Sequence, residues 1–303
     1  MKFSILDAFS INPGDLSWKQ LEDLCDFIPY DRTEDQEIPA HIDGCDGFFV
    51  SKCPITRQVM EGCPTLKFIG VTATGYDNVD IEAARDLGIA VCNVPAYSTE
   101  AVAQHTFALI LELTNLVGSY DRSVQKGKWY ETKDFTFLEG ALTLLDGKSL
   151  GIIGYGNIGR RVARIGEAFG MKVNIYSRDR EAAMQSDFLT LHCPLTPENT
   201  GFINAEFIKG MKDGAVLINT ARGALVNERD LADALRSGKL AAAAVDVLAE
   251  EPPLDPHPLI GLPNCILTPH IAWMPKETRQ RVIDVCAANL QSWLDGGDLN
   301  RLV

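Results

Sequence analysis

SLGIIGYGNIGRRVARIGEAFG, residues 149–170, decides how the rest of the chain is read. Its apolar run from Leu150 to Ile153 has the character of a strand buried on both faces, and it ends at Gly154. Beyond it, Ile158, Val162, Ile165 and Phe169 recur at helical spacing until Gly170 stops the helix. GYGNIG at 154–159 therefore joins a strand to a helix, the context that lifts this glycine pattern above chance. Gly154 permits the tight turn, Gly156 lets the backbone approach a pyrophosphate, and Gly159 allows close packing of helix on strand. With Asn157 and Ile158 they form a helix N-terminus, where N–H groups and the helix dipole attract phosphate. The stretch predicts a dinucleotide-binding turn.

Downstream, VNIYS, DFLTLHC, AVLINT, AAAAVDVL and CILTPH continue a strand series, and NERDLADALRSG is a helix with Asn227 as cap and Gly238 as stop. Upstream, KFSILDAF, GCDGFFVS, LKFIGVTAT and GIAVCNVP alternate with the helix-period stretches SWKQLEDLC, TRQVMEGC and DIEAARDLG. This alternation predicts an α/β protein with two doubly wound parallel sheets. STEAVAQHTFALILELTNLV is a long helix linking the two series, capped by Ser98 or Thr99. The final stretch, PKETRQRVIDVCAANLQSWLDGG, is a helix expected to return to the first domain, because the second already has its own complement. The expected domains are 1–96 plus 276–303, for the substrate, and 97–275, for the dinucleotide.

An acid that binds the ribose 2′-hydroxyl is expected about 20 residues beyond the glycine turn, at the end of the next strand. That position holds Ser177, followed by Arg178. Ser and Arg suit a 2′-phosphate, so NADP(H) is expected over NAD(H), the alternative being that Asp179 takes the ribose and Arg178 is a solvated charge. Only residues 177–187 separate Tyr176 from the strand starting near Phe188, barely enough for one crossover. Either the edge strand of this sheet is lost or a stretch of chain is missing there.

The formal net charge of −13 and the lack of Lys/Arg clusters argue against a nucleic-acid partner. No apolar run approaches the roughly 20 residues that span a bilayer, and MKFSILDAFS is neither a signal nor a transit sequence, so a cytosolic protein is expected. The eight cysteines form no CxxC pair and read as buried hydrophobes, with no metal site.

Arg222 follows AVLINT, Glu251 follows AAAAVDVL, and His270 ends CILTPH. In a parallel sheet these carboxyl ends share one edge with the glycine turn, so the three groups can converge on a nicotinamide. His41, His105, His192 and His257 lack such company and read as structural or exposed. NTARGALVNE, AVDVLAEEPP and LTPHIAW, with GYGNIG, resemble the motifs of the D-isomer-specific 2-hydroxyacid dehydrogenases, from the first strand to the last helix. AVAQHTFALILEL and PHIAW are most similar to the D-glycerate dehydrogenase, or hydroxypyruvate reductase, branch. The resemblance implies a flavodoxin-like substrate domain, a Rossmann cofactor domain and a homodimer held through the 98–117 helix. It implies that Arg222 clamps substrate, that Glu251 pairs with His270, and that Asp246 holds the nicotinamide carboxamide, with Thr220 also placed at the cofactor. It further implies that the N–H groups of Thr74 and Gly75 meet the substrate carboxylate.

These residue types suit reduction of a 2-keto acid to its D-2-hydroxy acid. His270 can deliver a proton near neutral pH, a buried Glu251 would stabilise the imidazolium, and the planar guanidinium of Arg222 matches a carboxylate. Trp273 either closes the pocket over a hydroxymethyl group or is a core aromatic. Hydroxypyruvate or glyoxylate is the expected substrate, since no extra basic residue near TATGYDN awaits a phosphate. Related lactate or phosphoglycerate dehydrogenases and a non-catalytic NAD(P)H sensor are the competing readings.

Overall fold

The computed structural model describes all 303 residues, and the chain forms two compact units, 1–98 with 273–303 and 99–272. The first unit carries β1 (Lys2–Ile5), β2 (Asp26–Pro29), β3 (Gly47–Val50), β4 (Phe68–Val71) and β5 (Ala90–Cys92) in the parallel order β2-β1-β3-β4-β5. That is the flavodoxin-like order, with a topological switch between β1 and β3. The central strands β3 and β4 are buried along their whole length, which is why their sequences show continuous apolar runs. DFIP, which forms β2, escaped the strand reading: it lies at the sheet edge, its two end residues are exposed, and it finishes on a proline tolerated only there. The helix Lys276–Leu294 lies in this unit, where Val282, Ile283, Cys286 and Leu290 share a core with Phe3, Phe49 and Phe68.

The second unit holds β6 (Ser149–Ile153), β7 (Lys172–Ile175), β8 (Phe188–Leu191), β9 (Ala215–Asn219), β10 (Leu240–Val245) and β11 (Cys265–Leu267). Its six parallel strands run β11-β10-β9-β8-β6-β7. This is the doubly wound order without the strand that would lie outside β7. The short passage between β7 and β8 is a single helix, Arg180–Met184, capped by Asp179, so the sheet ends at β7. The helix Thr99–Asn115 packs along Asn157–Ala168 and buries Ala103, Phe107 and Ile110 with Ile152 and Val162. Its apolar face is thus covered within its own unit. No helix is long and apolar enough to cross a membrane.

Candidate active site

The glycine turn has the shape its sequence requires. Gly154 has φ +93°, and a Cβ there would lie 2.4 Å from the backbone N of Cys193, so only glycine fits. A Cβ on Gly159 would meet the Gly154 carbonyl oxygen. Gly156 has open space where a Cβ would be, and it caps the helix Asn157–Ala168 without supplying a side-chain acceptor. The first-turn N–H groups of Asn157, Ile158 and Gly159 therefore face an open cradle, which fits a pyrophosphate.

Beside it the guanidinium of Arg178 lies 4.9 Å from the Tyr155 ring centre and that of Arg160 5.9 Å from the same ring. Arg160 Nε also donates to the Tyr155 carbonyl at 3.2 Å. Two cations thus flank one aromatic ring near Ser177. Asp179, the alternative ribose ligand, accepts the Ala182 N–H at 3.0 Å as a helix cap.

At the ends of β9, β10 and β11 the structure brings three segments together. Asn219, fully buried, accepts the Ala221 N–H at 3.0 Å and donates to the Arg222 carbonyl at 2.8 Å, fixing the turn that presents Arg222. At Gly223 a Cβ would lie 1.9 Å from the Leu248 carbonyl carbon, so this turn abuts the loop that carries Glu251 backbone to backbone. Glu251 accepts the Leu248 N–H through Oε1 at 2.9 Å, and its Oε2 lies 2.6 Å from His270 Nδ1. A carboxylate on Nδ1 fixes the orientation of the His270 ring. Glu251 is not buried as expected. Its side chain and that of His270 are 29% and 26% exposed, so the pair is open to an incoming ligand.

Thr220 and Asp246 directly follow β9 and β10. The Asp246 carboxylate is buried and accepts Thr268 O–H at 2.5 Å and the N–H groups of Ile271 and Ala272, each at 2.9 Å. These bonds tie it to the turn bearing His270. The buried Thr220 hydroxyl lies 3.1 Å from Thr106 Oγ1.

In the first unit, Thr74 and Gly75 follow β4, and the Thr74 hydroxyl donates to the Val94 carbonyl at 2.8 Å. Trp273 packs against that unit's core, its ring centre 6.4 Å from that of Tyr97, as a core aromatic.

Asn219, Gly223, Thr268 and His105 were not singled out from the sequence. For His105 a signal existed, because it shares the helical stripe of Val102, Thr106 and Leu109, which faces inward.

Residues 107–272 match the family model for the D-isomer specific 2-hydroxyacid dehydrogenase NAD binding domain. A hydroxypyruvate reductase of Blautia hydrogenotrophica is 44% identical over 318 aligned positions, which cover 99% of each chain. A glycerate dehydrogenase of Methylorubrum extorquens is 39% identical, covering 88% of each. An NADPH-dependent glyoxylate/hydroxypyruvate reductase of Sinorhizobium meliloti, solved with NADP and malonate, superposes with a TM-score of 0.84 at 27% identity, over 100% of this chain and 96% of that one.

Proposed function

The chain belongs to the D-isomer specific 2-hydroxyacid dehydrogenases, and on that basis we propose that it reduces hydroxypyruvate and glyoxylate to D-glycerate and glycolate, with NADPH as preferred reductant. The observation that carries this is the meeting of the Arg222 turn, Glu251 and His270 at the strand edge that also bears the glycine turn. A nicotinamide cofactor, when bound, supplies the hydride. His270 gives a proton from Nε2 to the keto oxygen, while Glu251 holds Nδ1 and stabilises the imidazolium before transfer. Arg222 binds the substrate carboxylate and polarises the carbonyl.

The preference for NADPH rests on Arg178 and Arg160 around Tyr155, on the lack of an acid at position 177, and on Asp179 being committed to its cap. Initial rates with hydroxypyruvate, glyoxylate and pyruvate, each with NADPH and NADH, test the reading. Pyruvate as the best substrate overturns the substrate assignment, and a lower KM for NADH overturns the cofactor assignment.

We place the protein in the cytosol, where eight unpaired thiols are stable. We also propose a homodimer, with its interface moved from the 98–117 helix to the segment that follows. Tyr130, Phe135, Leu138 and Leu144 are 96%, 90%, 79% and 75% exposed, an apolar surface that water does not favour. Light scattering should give twice the chain mass, and the Tyr130→Asp, Phe135→Asp variant should give a monomer.

A further inference from the structure

We propose that His105 is a positioning residue for His270, acting through Thr268 and Asp246 to fix the turn that aims the imidazole. The proposal rests on His270 being the proton donor. His270 has φ +55°, a left-handed conformation that costs a non-glycine residue energy and persists only when its surroundings impose it. Asp246 imposes it. Its carbonyl oxygen accepts the His270 N–H at 2.7 Å, and its carboxylate gathers Thr268 on one side of His270 and Ile271 and Ala272 on the other.

His105, on the helix Thr99–Asn115, closes this network from outside. Its Nε2 lies 3.1 Å from Thr268 Oγ1 and 3.4 Å from Asp246 Oδ1. The single Thr268 hydroxyl proton points at Asp246, so Thr268 Oγ1 accepts from His105, which fixes the proton on Nε2. Burial opposes charge on Asp246, yet the bonds from His105, Thr268, Ile271 and Ala272 outweigh it and hold the carboxyl below its ordinary range. The carboxylate thus stays ionised and keeps all its acceptor sites for the turn. Without the His105 donor, the Thr268 hydroxyl is free to rotate and the turn loses its outer brace.

The test compares His105→Ala, His105→Gln and His270→Ala with the double variant His105→Ala/His270→Ala. For His105→Ala we expect kcat to fall about 10- to 100-fold, the scale of a misplaced catalytic group. KM for hydroxypyruvate and Kd for NADPH should stay within about twofold, since neither ligand touches His105 in this reading. Gln places an amide nitrogen near the Nε2 position and should recover most of kcat. In the His270→Ala background, removal of His105 should cost nothing more, because the group it aims is gone. An equal further loss in that background, an unchanged kcat in His105→Ala, or no rescue by Gln overturns the proposal. Full turnover by His270→Ala would instead overturn the catalytic reading and this inference with it.

Discussion

His192 shows how a single side chain ties the cofactor unit to pH. It follows β8 with its backbone against Gly154, its Nε2 lies 3.0 Å from Thr190 Oγ1, and its buried Nδ1 has no partner. Burial pushes the imidazole down to about 3. An unfolded histidine titrates near about 6.5, so below that pH the unfolded chain binds a proton the folded one refuses. Stability therefore drops as the pH falls through about 6.5 and goes on dropping toward about 3, at up to about 1.4 kcal/mol per pH unit. Urea unfolding of the wild type and His192→Asn between pH 7 and 4 should show a shallower slope for the variant, and equal slopes would mean that His192 protonates in the folded state. Gly223 makes a second claim at this scale. A methyl group there enters the Leu248 carbonyl, so Gly223→Ala should lose about 2 kcal/mol of stability and most of kcat, because the Arg222 turn and the Glu251 loop must separate. A variant with wild-type turnover and melting temperature would show that this contact does not set the site.

Among the elements, β7 has the largest consequence, because it ends a sheet that doubly wound folds normally extend by another strand. No strand lies beyond it, and on the proposed cofactor reading Arg178, against the Tyr155 ring, is the cation that would meet a 2′-phosphate. Arg178→Ala should raise KM for NADPH about tenfold or more while leaving that for NADH within about twofold, consistent with one charged hydrogen-bonded contact. Parallel rises for both cofactors would make Arg178 a general structural cation. Much at this scale was legible in the sequence. Strands buried on both faces announce themselves as apolar runs, and glycine turns and caps such as Asn227 are local signals. β2 was not legible, since four half-exposed residues ending in proline carry no such run. The site divides the same way. Arg222, Glu251 and His270 could be found because each follows a strand, whereas the inward use of Asp246 depends on Thr268, Ile271 and Ala272, 22 to 26 residues away, and no local pattern encodes that.

For the whole molecule, the order in which the chain is completed matters more than its length. The unit 99–272 is continuous and has its own buried clusters, one around Leu217 and Leu231 and one around Ile152 and Val162. The other unit is assembled from both ends of the chain. Val282, Ile283, Cys286 and Leu290 fill a core with Phe3, Phe49 and Phe68, and the C-terminal residues line the free edge of β5. There Leu302 N–H donates to the Val91 carbonyl at 2.7 Å, and Arg301 pairs antiparallel with Cys92. A segment of residues 1–98 thus lacks a face of its core and leaves a sheet edge unpaired, both of which favour aggregation over folding. Residues 99–272 expressed alone should therefore melt cooperatively and still bind NADPH by calorimetry, whereas residues 1–98 alone should show no cooperative transition until a chain carrying 273–303 is supplied. A cooperative melt by 1–98 alone would show that the first sheet needs neither the last helix nor the terminal residues, and would remove the argument that this unit waits for the end of synthesis.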